Sequence, residues 1–154
     1  MAGKIDARLK ELGISLPDAP APAANYVPYV QTGNLVFVSG QISQGPDGLI
    51  KGKLGDGVDV SAGAAAARRC GLSLIAQAKA ALGGDLDRIA RVVKLTGFVN
   101  STPDFTDQPK VINGCSDLMV DVFGDAGRHA RAAVSAPALP LGVAVEIEAI
   151  FEVS

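Results

Sequence analysis

The stretch Val143-Ala144-Val145-Glu146-Ile147-Glu148-Ala149-Ile150-Phe151-Glu152-Val153 constrains this chain more than any other. Successive side chains of a strand point to opposite sides of its sheet. Val143, Val145, Ile147, Ala149, Phe151 and Val153 therefore share one face, and Ala144, Glu146, Glu148, Ile150 and Glu152 share the other. The first face is apolar throughout and must lie under a second layer. The second face carries three carboxylates and has to meet water or another subunit.

The covering layer is predicted to be two helices. In Val58 to Leu82, the residues Ala67, Cys70, Leu74, Ala78 and Ala81 recur at steps of three and four, giving one apolar face. Ser61 is the expected N-cap, Val60 is placed for a staple contact, and Gly83-Gly84 stops the helix. The alanines between Ala62 and Ala67 would let it lie close to a sheet. A second helix opens with Asp107 as cap and Pro109 in its first turn. Ile112, Cys115, Met119 and Val122 form its inner face, and Gly124 ends it.

The remaining strands are expected at Val27–Gln31, Leu35–Ile42, Leu49–Leu54 (the weakest), Ile89–Asn100 and from Ala130 onward. The Leu139–Gly142 turn leads into the last strand. The order βββαβαββ describes an α+β fold: a six-stranded mixed sheet with two helices on one face. Ahead of it, residues 3–12 predict a short helix with Ile5, Leu9 and Leu12 on one side. Leu16 to Pro28 is rich in Pro and Ala and reads as an extended connector. A chain of 154 residues suits one domain, with 1–24 as helix and connector and 25–154 as the core.

Only 19% of residues are charged while 48% are hydrophobic, a balance that predicts burial beyond the monomer's own core, in an oligomer. A net charge of −2 and a pI of about 5.3 argue against nucleic acid as partner. No stretch is apolar enough to span a bilayer, and no secretory leader is expected. Cys70 and Cys115 form no Cys-x-x-Cys motif and read as buried free thiols of a cytoplasmic protein. No metal site is expected, because no His/Cys cluster has ligand spacing and Asp104 and Asp107 read as turn and cap residues. Gly55-Asp56-Gly57 lacks the third glycine of a dinucleotide loop and the Gly-Lys-Ser/Thr of a phosphate loop, and no cofactor is expected.

The candidate chemistry centres on Arg131, which opens a run otherwise small and apolar. Desolvating a guanidinium is costly without a partner. Its planar fork suits a carboxylate or phosphate. Arg131 therefore either pairs with an acid, Glu146 fifteen residues on or Glu148, or receives an anionic ligand. Glu146 is also a candidate acid or base beside that ligand. His129, two residues before Arg131, either faces the same side of a strand or is a solvated loop residue. As the sole histidine it supports no serine triad.

Pro28-Tyr29-Val30-Gln31, Phe37-Val38-Ser39-Gly40-Gln41-Ile42, Asn113, Ala130-Arg131, Leu139-Pro140 and Val145-Glu146-Ile147-Glu148-Ala149-Ile150 occur in an order that resembles the reactive intermediate deaminase family, RidA, formerly YjgF and also labelled endoribonuclease L-PSP. The resemblance covers about residues 25–153. It implies a chorismate-mutase-like fold, a homotrimer whose sheets pack into a barrel, and active sites in the clefts between subunits. The implied activity is hydrolysis of enamine and imine acids such as 2-aminoacrylate to 2-keto acids and ammonia. Arg131 would clamp the substrate carboxylate and Glu146 would hold or activate water. Tyr29, Ser39 and Asn113 would line the pocket, with Ala133, where many members carry Cys, offering its backbone. The chain differs from short members in its N-terminal helix and connector and in a longer loop before Arg131. A non-catalytic protein binding a small carboxylate in the same clefts is the alternative. RNA cleavage, named by the family label, is disfavoured by the net charge and by the absence of a basic, aromatic face.

Overall fold

In the computed structural model, which describes residues 3–22 and 24–154, five strands form the main sheet: Tyr29–Thr32 (β1), Leu35–Ile42 (β2), Ile89–Asn100 (β3), Ala130–Ala136 (β4) and Val145–Val153 (β5). Their order is β1-β2-β5-β3-β4. The alternating C-terminal strand thus lies at the centre, antiparallel to β2 on one side and to β3 on the other. β3 and β4 are parallel, so the sheet is mixed. Three helices accompany it: α1 (Lys4–Glu11), α2 (Val60–Ala81) and α3 (Gln108–Phe123). α2 carries the chain from β2 to β3 over the intervening β5, and α3 carries it from β3 to β4, the crossovers that parallel strands require.

The predicted alternation holds along β5. Val145, Ile147, Ala149, Phe151 and Val153 are buried, while Glu148 is exposed and Glu146, Ile150 and Glu152 are half-buried. The buried face packs into one core with Leu74 and Ile75 of α2 and Ile112, Leu118 and Met119 of α3. Ala144, expected on the outward face, is buried, because β5 starts only at Val145 and the alternation does not reach back into the preceding turn.

The sheet has five strands where six were expected. Leu49–Leu54 does not join it. Gln44–Gly45 instead pairs with Gly48–Leu49, and Lys53–Leu54 with Gly57–Val58. Gly48, Gly52, Gly55 and Gly57 all have positive φ, between 88° and 125°, and so many reversals prevent a continuous strand. The α2 N-cap also differs. Asp59 Oδ1 accepts the Ala62 amide at 2.8 Å, so the helix begins one residue before Ser61. Asp107 holds the N-cap position of α3 without a side-chain capping bond, and Pro109 lies in the first turn as expected. The alanine run of α2 faces α3 closely: a Cβ on Gly114 would strike the Ala64 carbonyl oxygen.

Cys70 and Cys115 are free, buried thiols. Burial raises both, Cys115 to about 12, which leaves them protonated and unreactive. The N-terminal segment is tied down at several points. The Lys4 and Ile5 amides donate to Asp87, and Arg8 Nε donates to the Asp121 carbonyl. Leu9 is buried, with Ile5 and Leu12 packed beside it, as their spacing predicts. Beyond α1, Gln77 of α2 donates from Nε2 to the Pro20 carbonyl at 2.6 Å. This bond fixes the connector across the helix layer. No helix among the described residues is long and apolar enough to cross a membrane.

Candidate functional site

The predicted site residues gather in two places. The first is the outer edge of the sheet under α3. Arg131 lies opposite Leu95 and Ala133 opposite Gly97, and Leu95 is fully buried, so both β4 residues face the helix layer. The approach of α3 here depends on Gly97, where a Cβ would run into Ile112. Arg131 Nη1 donates to Asn113 Oδ1 at 2.8 Å and to Ser116 Oγ at 3.1 Å, and Nη2 donates to the Pro109 carbonyl at 3.2 Å. Among the described residues Arg131 makes no ion pair. Within one chain neither Glu146 nor Glu148 is its partner. Neutral oxygens hold the cation and engage three of the five N–H donors of a guanidinium, leaving two for a ligand.

His129 belongs to this cluster. Ser116 Oγ accepts a hydrogen bond from Arg131 and so donates its own hydrogen to His129 Nε2 at 2.8 Å. The imidazole is then protonated on Nδ1, which donates to the Gly127 carbonyl at 2.6 Å. Burial holds His129 below its usual value of 6.5; the Gly127 bond opposes this shift and the Arg131 charge adds to it. A cavity of about 310 Å3 opens beside Asn113, Ser116, His129 and Arg131. Ser116 was not anticipated, although it falls three residues after Asn113 and so on the same helix face.

The second place is the opposite, open face. Glu146 sits between Ile42 of β2 and Phe98 of β3. β2 bulges between Val38 and Gln41, which puts Ser39 and Gly40 at the irregularity. Gly40 comes so close that a Cβ there would collide with Glu146 Oε2. Burial, and then the charge of Glu148, push Glu146 above the ordinary carboxylate range. A cavity of about 420 Å3 lies against it, lined also by Pro20, Ala21, Pro22 and Tyr26 of the connector and by Leu49 and Leu141. Leu141 has φ 61°, a left-handed conformation that leucine seldom adopts. The Leu139–Gly142 stretch had been legible only as a turn.

Ser39 is occupied locally: its hydroxyl donates to the Val27 carbonyl at 2.8 Å and its amide to Pro28 at 2.9 Å. Tyr29 pairs with the buried Val38 and packs partly against the core. The fold therefore brings Arg131, Asn113, Ala133 and His129 to one face of the sheet. It leaves Glu146, with Ser39 near by, on the other. Among the described residues no group of three His, Cys, Asp or Glu side chains is placed to hold a metal ion.

Comparison with known proteins identifies the family. The family model described as "YjgF/chorismate mutase-like, putative endoribonuclease" matches residues 6–152, a span that begins inside α1. Protein TCP17 of Trypanosoma cruzi is 52% identical over 99% of this chain and 96% of its own length. The crystal structure of protein Atu1372 from Agrobacterium tumefaciens is 49% identical and covers 97% of this chain and 94% of that one, with a TM-score of 0.89. The structure of E. coli TdcF with bound serine is 28% identical over 88% of this chain and 94% of that one, with a TM-score of 0.62. On the family match, the full-length relative and the shared α+β architecture, the chain belongs to the YjgF/RidA family, with its chorismate-mutase-like fold.

Proposed function

We propose that this protein hydrolyses small enamine and imine acids of the 2-aminoacrylate type to 2-keto acids and ammonia. One observation carries the reading: Arg131 is a cation preorganised by neutral oxygens alone, with donors left over for a carboxylate. The enamine takes a proton on carbon and becomes the imine, whose carbon is electrophilic once its nitrogen is protonated. Arg131 fixes the substrate carboxylate. Glu146 accepts a proton from water as the oxygen bonds to the imine carbon. The same carboxyl returns that proton to nitrogen; the C–N bond then breaks, ammonia leaves, and the carbinolamine hydroxyl gives its proton to the freed Glu146 carboxylate as the keto group forms, a proton that ammonia takes up in turn. Burial, which raises Glu146 above its ordinary range, makes the carboxylate a better proton acceptor.

A site needing both Arg131 and Glu146 requires two copies of the chain, because the two lie on opposite faces of one sheet. The open face exposes Val30, Phe37 and Val134 at 52%, 41% and 44%, apolar area suited to a neighbour. The two contributing surfaces differ, so the contact is heterologous and a rotation that closes gives a ring. The reading takes that ring to be a homotrimer with composite sites in its clefts. The buried free thiols fit a reducing, cytoplasmic setting.

The test is release of ammonia and keto acid from enzymatically generated 2-aminoacrylate. Wild-type activity with loss in an assembled Arg131→Ala variant is expected. A monomeric mass in dilute solution, or no release from an assembled wild type, would overturn the proposal. The serine bound to TdcF favours one other reading, a non-catalytic small-carboxylate receptor. Thermal stabilisation by a keto acid or amino acid without ammonia release would support it.

A further inference from the structure

We infer that the Glu146 half-site carries an apolar subsite, walled by the N-terminal connector, which takes the hydrocarbon side chain of the imino acid and selects chains longer than that of 2-aminoacrylate. This inference rests on the deaminase reading and names the substrate class within it.

The two cavities differ in chemistry. Around Arg131 polar and charged side chains dominate the lining residues, Asn113, Ser116, Asp117, Arg128 and His129 beside Val120, and the two cations suit a carboxylate. The cavity against Glu146 is mainly apolar beyond the carboxylate itself. Gln41 lines it, but that amide is already engaged: Nε2 donates to the Ser39 carbonyl at 2.9 Å and Oε1 accepts from Gln77 at 3.4 Å. Gln44 and the phenol-bearing Tyr26 are the other polar lining residues.

Size points the same way. A three-carbon imino acid has six non-hydrogen atoms. Even at the share of about 30 Å3 that a water molecule takes in the liquid, it fills roughly 180 Å3. The cavity holds about 420 Å3. A substrate ending at a methylene group would leave most of it empty. An apolar chain of several carbons, running from Glu146 toward Leu49 and Leu141, would fill it and remove more apolar surface from water.

The wall is built to hold its position. Pro20 and Pro22 each fix their own φ. Gln77, itself 1% exposed, binds the Pro20 carbonyl, and Ser39 binds the Val27 carbonyl. Leu141, which also lines the cavity, keeps its left-handed backbone while 60% exposed, although its neighbour is a glycine that would adopt that conformation freely. A large apolar side chain is thus held in a costly conformation beside the cavity.

The test compares kcat/KM on imines made in situ by an amino-acid oxidase from alanine and from leucine. It also compares binding of the two product keto acids by calorimetry. The full-length wild type, Ala21→Trp (which fills the subsite) and Leu49→Ala (which enlarges it) are measured, with thermal melts and solution mass to confirm folding and assembly. The wild type should prefer the leucine-derived imine by about tenfold or more. Ala21→Trp should remove that preference, while Leu49→Ala should shift preference toward longer chains. Hydrolysis of both imines with no preference, unchanged in both variants, would overturn the subsite and leave the deaminase standing. Selective keto-acid binding lost in Ala21→Trp, without hydrolysis of either imine, would keep the subsite and overturn the deaminase. Neither hydrolysis nor binding would overturn both.

Discussion

The Arg131 and Glu146 half-sites solve opposite problems with the same sheet. Arg131 lies at the edge, on the face that packs against α3, and the helix supplies its partners through Pro109, Asn113 and Ser116. Glu146 lies on the central strand, on the face without helices, and the connector and a bulge supply its surroundings. One group is a permanent charge held among neutral dipoles. The other is a titratable group pushed toward neutrality by its setting. A carboxylate ligand needs the first environment and proton transfer needs the second. On separate surfaces of one chain, each stays free of the other.

The sharpest way to break this comparison is complementation. Arg131→Ala should lower kcat/KM on the order of 10^3-fold, and Glu146→Gln should lower kcat by roughly 10^2- to 10^4-fold. The two inactive variants, unfolded together and refolded as a mixture, should regain activity at about a quarter of the composite sites, where each chain supplies its intact half. Absence of recovery in mixed assemblies confirmed by mass would place both groups of a site on one chain.

Next in size is a pair of glycine substitutions, one for each half-site. Gly97→Ala should destabilise the protein by about 1–3 kcal/mol in denaturant melts, because its methyl meets Ile112. Gly40→Ala meets the Glu146 carboxylate instead and should reduce kcat more than it reduces stability. Equal losses in both quantities for both variants would erase the distinction.

The smallest effects are in pH dependence, and they have opposite signs. Glu146 is raised above its ordinary 4.5, so in the window above that value the folded chain holds more protons than the unfolded chain. Its contribution to stability therefore falls as pH rises through the folded value, and Glu146→Gln should gain stability relative to wild type at neutral pH. His129 is lowered below 6.5, so there the unfolded chain holds more protons. Its contribution is present above 6.5 and is lost as pH falls through the folded value, and His129→Gln should lose less stability than wild type on acidification. Parallel stability–pH curves for wild type and either variant would refute the corresponding assignment.

Much of the fold was readable because periodicity reports burial directly. The alternation in β5 and the helical spacing in α2 and α3 each identify the face that the core covers. The Leu49–Leu54 run misled because its composition suits a strand while the glycines within and after it reverse the backbone. At the site, Arg131 stood out as a charge in an apolar run. What the sequence concealed was which face each group occupies relative to the other. The residue count from Arg131 to Glu146 passes through a turn between strands separated by β3, so spacing carries no information about their distance. The local partners of Ser39 and Tyr29, the connector carbonyls and the core, were hidden for a related reason: they become visible only once the sheet is assembled.

The central place of β5 bears on how the protein is made. Synthesis is vectorial, and every other element of the sheet precedes this strand in the chain. β2 and β3 emerge long before the segment that lies between them and bonds to both. The nascent chain must carry two strands with unsatisfied inner edges, and the apolar faces of α2 and α3, until residue 153 has been polymerised. Non-local pairing of this kind slows folding and leaves strand edges open to association. Stalled or prematurely terminated products, lacking only the last few residues, should therefore be the aggregation-prone species, with chaperone demand highest just before synthesis of the strand is complete.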